Sequence, residues 1–278
     1  MNRTATRPAL YLLSLAFQLL VAGMVPAVGD VPRSAFSGVY GATSGAGALT
    51  GWERHGADNP AVFSGAGASA SMAGYAPFGL DGLQVMETSA AFDRRRWGAS
   101  LAWRGLFEDG HARASVSRVQ GAMQVGDSWQ VGGALLIDAG DEVPGIGTRP
   151  GAGLGILWQP ASALHLGAAA EALSISSHHN VRAGLGADCG TRLGKKYAWR
   201  ISVERAYFSD AAAEFRFGFG LRLHAQLSVY GGFVPARETA SLGVRFGMGG
   251  FEGFSALRRH TSLGSTSIQG IQWNSGVR

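Results

Sequence analysis

The stretch from Glu214 to Phe233, EFRFGFGLRLHAQLSVYGGF, constrains the fold more than any other part of the chain. Phe215, Phe217, Phe219, Leu221 and Leu223 fall on one side of an extended backbone, and Glu214, Arg216, Gly218, Gly220 and Arg222 on the other. Successive side chains of a strand point to opposite faces, so a strict period of two predicts a strand with two unlike sides. A very short turn then leads into a weaker repeat, with Leu227 and Val229 facing one way and Gln226, Ser228 and Tyr230 the other. In a sheet surrounded by water the phenylalanine side would be core. Here the pattern recurs along nearly the whole chain, and the opposite face is built of Gly, Ser, Arg, Glu and Gln. That is the pattern of a barrel wall with hydrocarbon outside and a polar lumen inside.

Composition supports this. Glycine accounts for 43 of 278 residues, apolar residues for 46% and charged residues for only 15%, and the mean hydropathy is +0.08. A soluble domain carries about a quarter charged residues. After the N-terminal region no apolar run is long enough for a membrane-spanning helix. The net charge of +5 is spread through strands and turns, with no basic run or basic helix, so nucleic acid is not an expected partner. Residues 1–29 are read as a cleaved signal peptide: Arg3 and Arg7 precede the apolar run Leu10 to Val25, and Ala27-Val28-Gly29 supplies a small-x-small cleavage site. The single cysteine, Cys189, excludes an intrachain disulfide.

Residues 30–80 form a second region, rich in Gly, Ala and Ser, which either folds into a barrel as a plug or supplies its first strands. Gly45, Gly47 and Gly51 do not have the spacing of a phosphate-binding loop and lack a strand-to-helix frame. Residues 81–278 carry the regular strands. Trp97, Ala99, Leu101 and Trp103 make one face; so do Trp129, Val131, Leu135 and Ile137; Leu154, Ile156 and Trp158; Leu164, Leu166, Ala168 and Ala170; Val181, Ala183 and Leu185. Tyr197, Trp199, Ile201 and Val203, then Ala240, Leu242, Val244 and Phe246, continue the series, with two less regular strands near Gly253 to His260 and Ser265 to Trp273. Gln159 to Ser162 reads as a tight connection, and Asp138 to Gly151 as a loop punctuated by Gly and Pro. The expected fold is all-β, a transmembrane antiparallel up-and-down barrel of about 12–14 strands, since such chains favour an even number.

The candidate lumen-lining residues are Glu171, Arg200, Glu204, Glu214, Arg216, Arg222 and Arg245, which either line a selective path or fill the interior as ion pairs. His178 and His179, beside Ser176, Ser177 and Asn180, read as a solvated turn without the further ligands a metal needs. No G-x-S-x-G elbow or other convergent catalytic motif occurs, so neither catalysis nor a cofactor is expected.

The order Asn59-Pro60-Ala61, then Pro77-Phe78-Gly79 before the first clear strand, then His260, Leu263 and Gly264 before the last, resembles the PorV/PorQ-type outer-membrane proteins, relatives of the FadL long-chain fatty-acid transporters. Where family members commonly carry a proline after the histidine, this chain has Thr261. The resemblance implies a barrel in the bacterial outer membrane with membrane lipid around it. It implies either a scaffold or shuttle for secretion-system proteins, or a conduit for a hydrophobic small molecule. The prevalence of Gly, Ser and Arg at inward positions favours the scaffold, because an apolar path wants Phe, Leu and Met.

Overall fold

The computed structural model describes residues 46–50, 58–63, 67–140, 148–175, 178–193, 197–208 and 213–275. The expected signal peptide, residues 1–29, lies outside these. The alternating segments become fourteen antiparallel strands: β1 (Gly67–Tyr75), β2 (Leu83–Arg94), β3 (Trp97–Glu108), β4 (His111–Val125), β5 (Trp129–Gly140), β6 (Arg149–Ala161) and β7 (Leu164–Ile175). The chain continues through β8 (His178–Leu193), β9 (Tyr197–Phe208), β10 (Glu214–His224), β11 (Leu227–Val234), β12 (Thr239–Met248), β13 (Phe251–His260) and β14 (Gly264–Asn274). Each strand pairs with its sequence neighbours, and β1 pairs with β14 from Ser69↔Asn274 to Tyr75↔Ile268, so the sheet closes and has no free edge.

Two hairpins show how turn chemistry sets the register. Asp109 and Gly110 both take positive φ (48° and 80°) between Glu108 and His111, which are paired. Gly249 and Gly250 do the same (60° and 93°) between the paired Met248 and Phe251. Two successive left-handed residues give the turn twist that matches the strands. All six connections at this second end, from 95–96 to 249–250, are two or three residues long, whereas those at the opposite end run from two to eight residues. Short turns on one side and longer loops on the other are the usual polarity of outer-membrane barrels.

The faces are inverted relative to a soluble protein. Leu135 and Leu154, mid-wall, are 68% and 73% exposed, while inward-facing Glu204 and Arg216 are 1% and 3% exposed. A twelve-residue strand tilted by about 40° climbs about 30 Å, enough to cross an apolar band about 25 Å tall. Aromatic residues mark both margins of that band. At the short-turn end Trp129 stacks on Trp158 (5.2 Å between ring centres) and Phe92 meets Trp97 (5.8 Å). At the other end Trp103 meets Phe107, and the Arg205 guanidinium lies over the rings of Tyr207 and Phe215. Such aromatic belts are where a barrel meets the membrane–water interfaces.

Three local expectations are corrected. The loop expected from Asp138 to Gly151 is shorter, because Asp138 to Gly140 end β5 and Arg149 to Gly151 open β6, with Asp138 and Arg149 paired across the ladder. Gln159 to Ala161 belong to β6 and not to a connection, because a register shift between Trp158 and Ala161 accommodates Pro160, which has no N–H to give the ladder. His178 and His179 open β8, paired with Ile175 and Ser174. Residues 67–75, within the Gly/Ala-rich region, are the first strand.

Candidate functional site

Among the described residues the lumen gathers ion-paired charge, and the strand period puts it there. Arg182 on β8, Glu204 on β9, and Glu214 and Arg216 on β10 occupy inward positions of consecutive strands. Arg216 donates through Nε and Nη2 to one Glu214 oxygen (2.8 and 2.6 Å), and Arg237, from the 3-10 turn Pro235–Arg237, pairs with the other. On the other side, Arg216 and Arg182 both donate to the carboxylate of Asp58. Further round the wall, Arg118 pairs with Glu171 (3.2 Å), Arg245 with Glu252 (3.2 Å) and Arg104 with Glu87. Arg200 and His165 share Asp188. Buried charges of this kind persist only when paired.

Of the seven lumen positions expected from sequence, Glu204, Glu214 and Arg216 converge on the central network, Glu171 and Arg245 each sit in a separate pair, and Arg200 shares Asp188 with His165. Arg222 is exposed, two residues from the end of β10 at the short-turn side. The expected set left out Asp58, Arg182 and Arg237 of the central network, and Glu87, Arg104, Arg118, His165, Asp188 and Glu252 of the other pairs. Arg118, Arg182 and Asp188 sit on the inward period of their strands and were within reach of the same pattern; Asp58 and Arg237 lie off the strands and carry no periodic signal.

Residues 46–50 and 58–63 are buried inside the barrel. Their seat is made of glycine. Gly132 and Gly155 are directly paired across β5 and β6, and Gly167 and Gly186 across β7 and β8. A Cβ on Gly132 would collide with the Pro60 carbonyl, one on Gly155 with the Asn59 side chain, and one on Gly167 with the Leu49 carbonyl. The backbone of the N-terminal segment therefore approaches the wall as closely as a neighbouring strand would. Hydrogen bonds fix it. Asn59 is fully buried; its Nδ2 donates to the Leu49 and Ile156 carbonyls (both 2.9 Å), and its Oδ1 accepts from Ala61 N (2.9 Å). Leu49 N donates to Glu204 Oε1 (2.8 Å). Burial pushes the Asp58 carboxyl up, but Arg182, Arg216 and Arg118 more than offset it and hold it below its ordinary 3.8. A cavity of about 10 Å³, room for a single water, remains between Leu49, Asp58 and the wall.

The other two motifs meet at the longer-loop end. Pro77, Phe78 and Gly79 form a 3-10 turn in which Phe78 has φ 53° and donates its N–H to Thr266 Oγ1 (2.8 Å). The Phe78 ring stands edge-on to His260 (6.0 Å), and the Phe78 carbonyl abuts Gly264. His260 Nδ1 accepts from the N–H groups of Ser262 and Leu263 (3.2 Å each), which shapes the β13–β14 turn, while the Leu263 side chain is exposed.

One stretch of the inner wall is apolar: Ala73, Tyr75, Tyr230, Phe254, Ala256 and Ile268 pack together. Ala73 and Phe254, with Gly270, also back an open bay of about 620 Å³ on the exterior, rimmed by Met72, Gly74, Met86, Phe246, Ser255, Gln269 and Ile271.

No described protein family matches the chain, and no curated protein matches it. Solved structures do. A Pseudomonas aeruginosa FadL homologue aligns over 88% of this chain and 99% of its own (9% identity, TM-score 0.58). The Ralstonia pickettii toluene transporter TbuX aligns over 85% and 97% (16% identity, TM-score 0.56). The monoaromatic hydrocarbon channel CymD aligns over 86% and 97% (13% identity, TM-score 0.56). At such identities the likeness is one of fold, and the fold is a closed fourteen-strand antiparallel barrel of the outer-membrane kind.

Proposed function

We propose that the chain is an outer-membrane conduit for hydrophobic small molecules, exported with its signal peptide removed, and that the segment ending at Phe63 is a movable plug. The observation that carries this reading is how the lumen is closed. The occupying segment is held against bare glycine backbone by a handful of hydrogen bonds and the Asp58 ion pairs, and no strand of the barrel has to break for it to leave. The apolar inner strip from Tyr75 to Ile268 gives a hydrophobic solute a surface to follow. The neighbours named above as a toluene transporter and a hydrocarbon channel favour the same substrate class.

The ion-paired remainder of the inner face favours a second reading, a PorV/PorQ-type scaffold or shuttle in protein export, in which the lumen stays filled and partners meet the loops. Planar-bilayer conductance separates the two. The full chain is compared with a variant lacking residues 31–63; the deletion must stop there because Gly67 opens β1. The conduit reading expects current from the deletion variant and little from the full chain. A deletion variant that is folded by heat-modifiable mobility yet silent contradicts it and favours the scaffold.

A further inference from the structure

We infer that the exterior bay at the β13–β14–β1 seam is a binding site for an uncharged amphiphile that carries a hydrogen-bonding group, such as a long-chain alcohol, ketone or amide. Gln269 is the middle residue of β14 and points outward; it pairs with Ser255 of β13 and Gly74 of β1. A strand of eleven residues crosses the apolar band, so the Gln269 amide stands close to its mid-depth. Its side chain makes no hydrogen bond to another described residue, and neither does the outward hydroxyl of Ser255. Polar groups facing hydrocarbon without a partner are costly, and no water is at hand to relieve them. On the outer wall Leu135, Leu154, Ile201, Phe219 and Leu242 hold comparable heights, and the other polar side chains there, Thr88, Ser117 and Ser267, are small hydroxyls and not amides.

The surroundings suit a ligand. Met72, Met86, Phe246 and Ile271 give the bay apolar sides, and Gly74, which presents no side chain outward, deepens it. The bay is open to the lipid along one side, and its apolar walls with one or two placed polar groups have the make-up of a small-molecule site. No Arg, Lys or His lines it, so an ionised carboxylate would be left uncompensated at mid-depth. The ester groups of membrane phospholipids lie near the interfaces, about 15 Å from that level, which leaves a free amphiphile dissolved in the membrane interior as the occupant. This site stands whether or not the lumen conducts.

The test is photolabelling of the protein in phospholipid nanodiscs with a diazirine-bearing hexadecanol, with peptides mapped by mass spectrometry. Labelling should concentrate on β13, β14, Met72 and Met86, and be equal in ester- and ether-linked lipid. Gln269→Leu, an apolar change on a lipid-facing wall, should cut it about tenfold, one hydrogen bond's worth in hydrocarbon. The matching fatty acid at pH 8 should label the bay weakly, and Leu135→Gln, five strands round the wall, should gain no label. Ser255→Ala gives a second reduced variant if Gln269→Leu assembles poorly. Uniform labelling around the barrel, unchanged labelling in both variants, protection by ester lipid alone, or protein–protein cross-links through the bay would each overturn the inference.

Discussion

Asn59→Ala is the sharpest single test of how the N-terminal segment is held. The substitution removes three hydrogen bonds of 2.9 Å: those to the carbonyls of Leu49 and Ile156, and the one from Ala61 N. The Ile156 bond ties the segment to the wall and the other two lie within it, so all three are lost to a released segment without fixed structure; at about 1 kcal/mol net per bond the seated state loses about 3 kcal/mol relative to it. With a factor of ten for every 1.4 kcal/mol, the ratio of seated to released segment falls about a hundredfold. Nothing in the ladder of the barrel changes, so heat-modifiable mobility should be that of the wild type. Hydrogen exchange followed by mass spectrometry reads the effect directly: amides of Leu49, Thr50 and Ala61 to Phe63 should exchange about a hundred times faster, while β5 to β8 keep their protection. If exchange of the segment stays within about twofold of wild type in an intact barrel, Asn59 is not what seats it.

Other outcomes follow from the same geometry. Gly167→Val puts a branched side chain where the Leu49 carbonyl lies, so it should expel the segment without unfolding the wall; loss of protection at Leu49 with unchanged mobility checks it. Leu135→Arg places a charge on the outer wall at mid-strand and should cost about 2–4 kcal/mol in a denaturant folding assay in lipid, against a much smaller effect for Leu263→Arg in the exposed turn. Asp58 titrates below its ordinary 3.8 in the folded protein, so its ion pairs stabilise the seat fully above that value and are lost as the pH falls through the lower folded value. Exchange of residues 58–63 should therefore rise steeply below about pH 4, and Asp58→Asn should show no such step.

The wall was legible wherever both faces carry a signal. In EFRFGFGLRLH the phenylalanines and arginines declare opposite sides, and β10 follows them from Glu214 to Leu221, before the register shift at Arg222 to His224. Asp109-Gly110 and Gly249-Gly250 announce their turns because few other residues accept two left-handed conformations in a row. By contrast β1, GASASMAGY, has small residues on both faces; it joins the barrel through main-chain bonds to β2 and β14, which side-chain periodicity does not encode. The glycine seat was hidden for a different reason. Gly132, Gly155, Gly167 and Gly186 lie far apart in sequence and become one surface only through the registers of four strands. The Asn59-Pro60-Ala61 motif was visible, but its partners, the Leu49 and Ile156 carbonyls, carry no side-chain signature at all.

A disulfide lock tests the central claim most directly. Leu49 Cβ stands 3.0 Å from where a Cβ on Gly186 would lie, so Leu49→Cys with Gly186→Cys needs only a small shift to reach the usual separation of about 3.8 Å. Cys189→Ser removes the single native thiol. Uptake of a radiolabelled alkylbenzene is then measured in proteoliposomes, with the lock oxidised and after reduction. A conduit with a movable plug predicts uptake that is abolished by oxidation and restored by reductant. Equal uptake in the two states, with the disulfide verified by mass spectrometry, would contradict it.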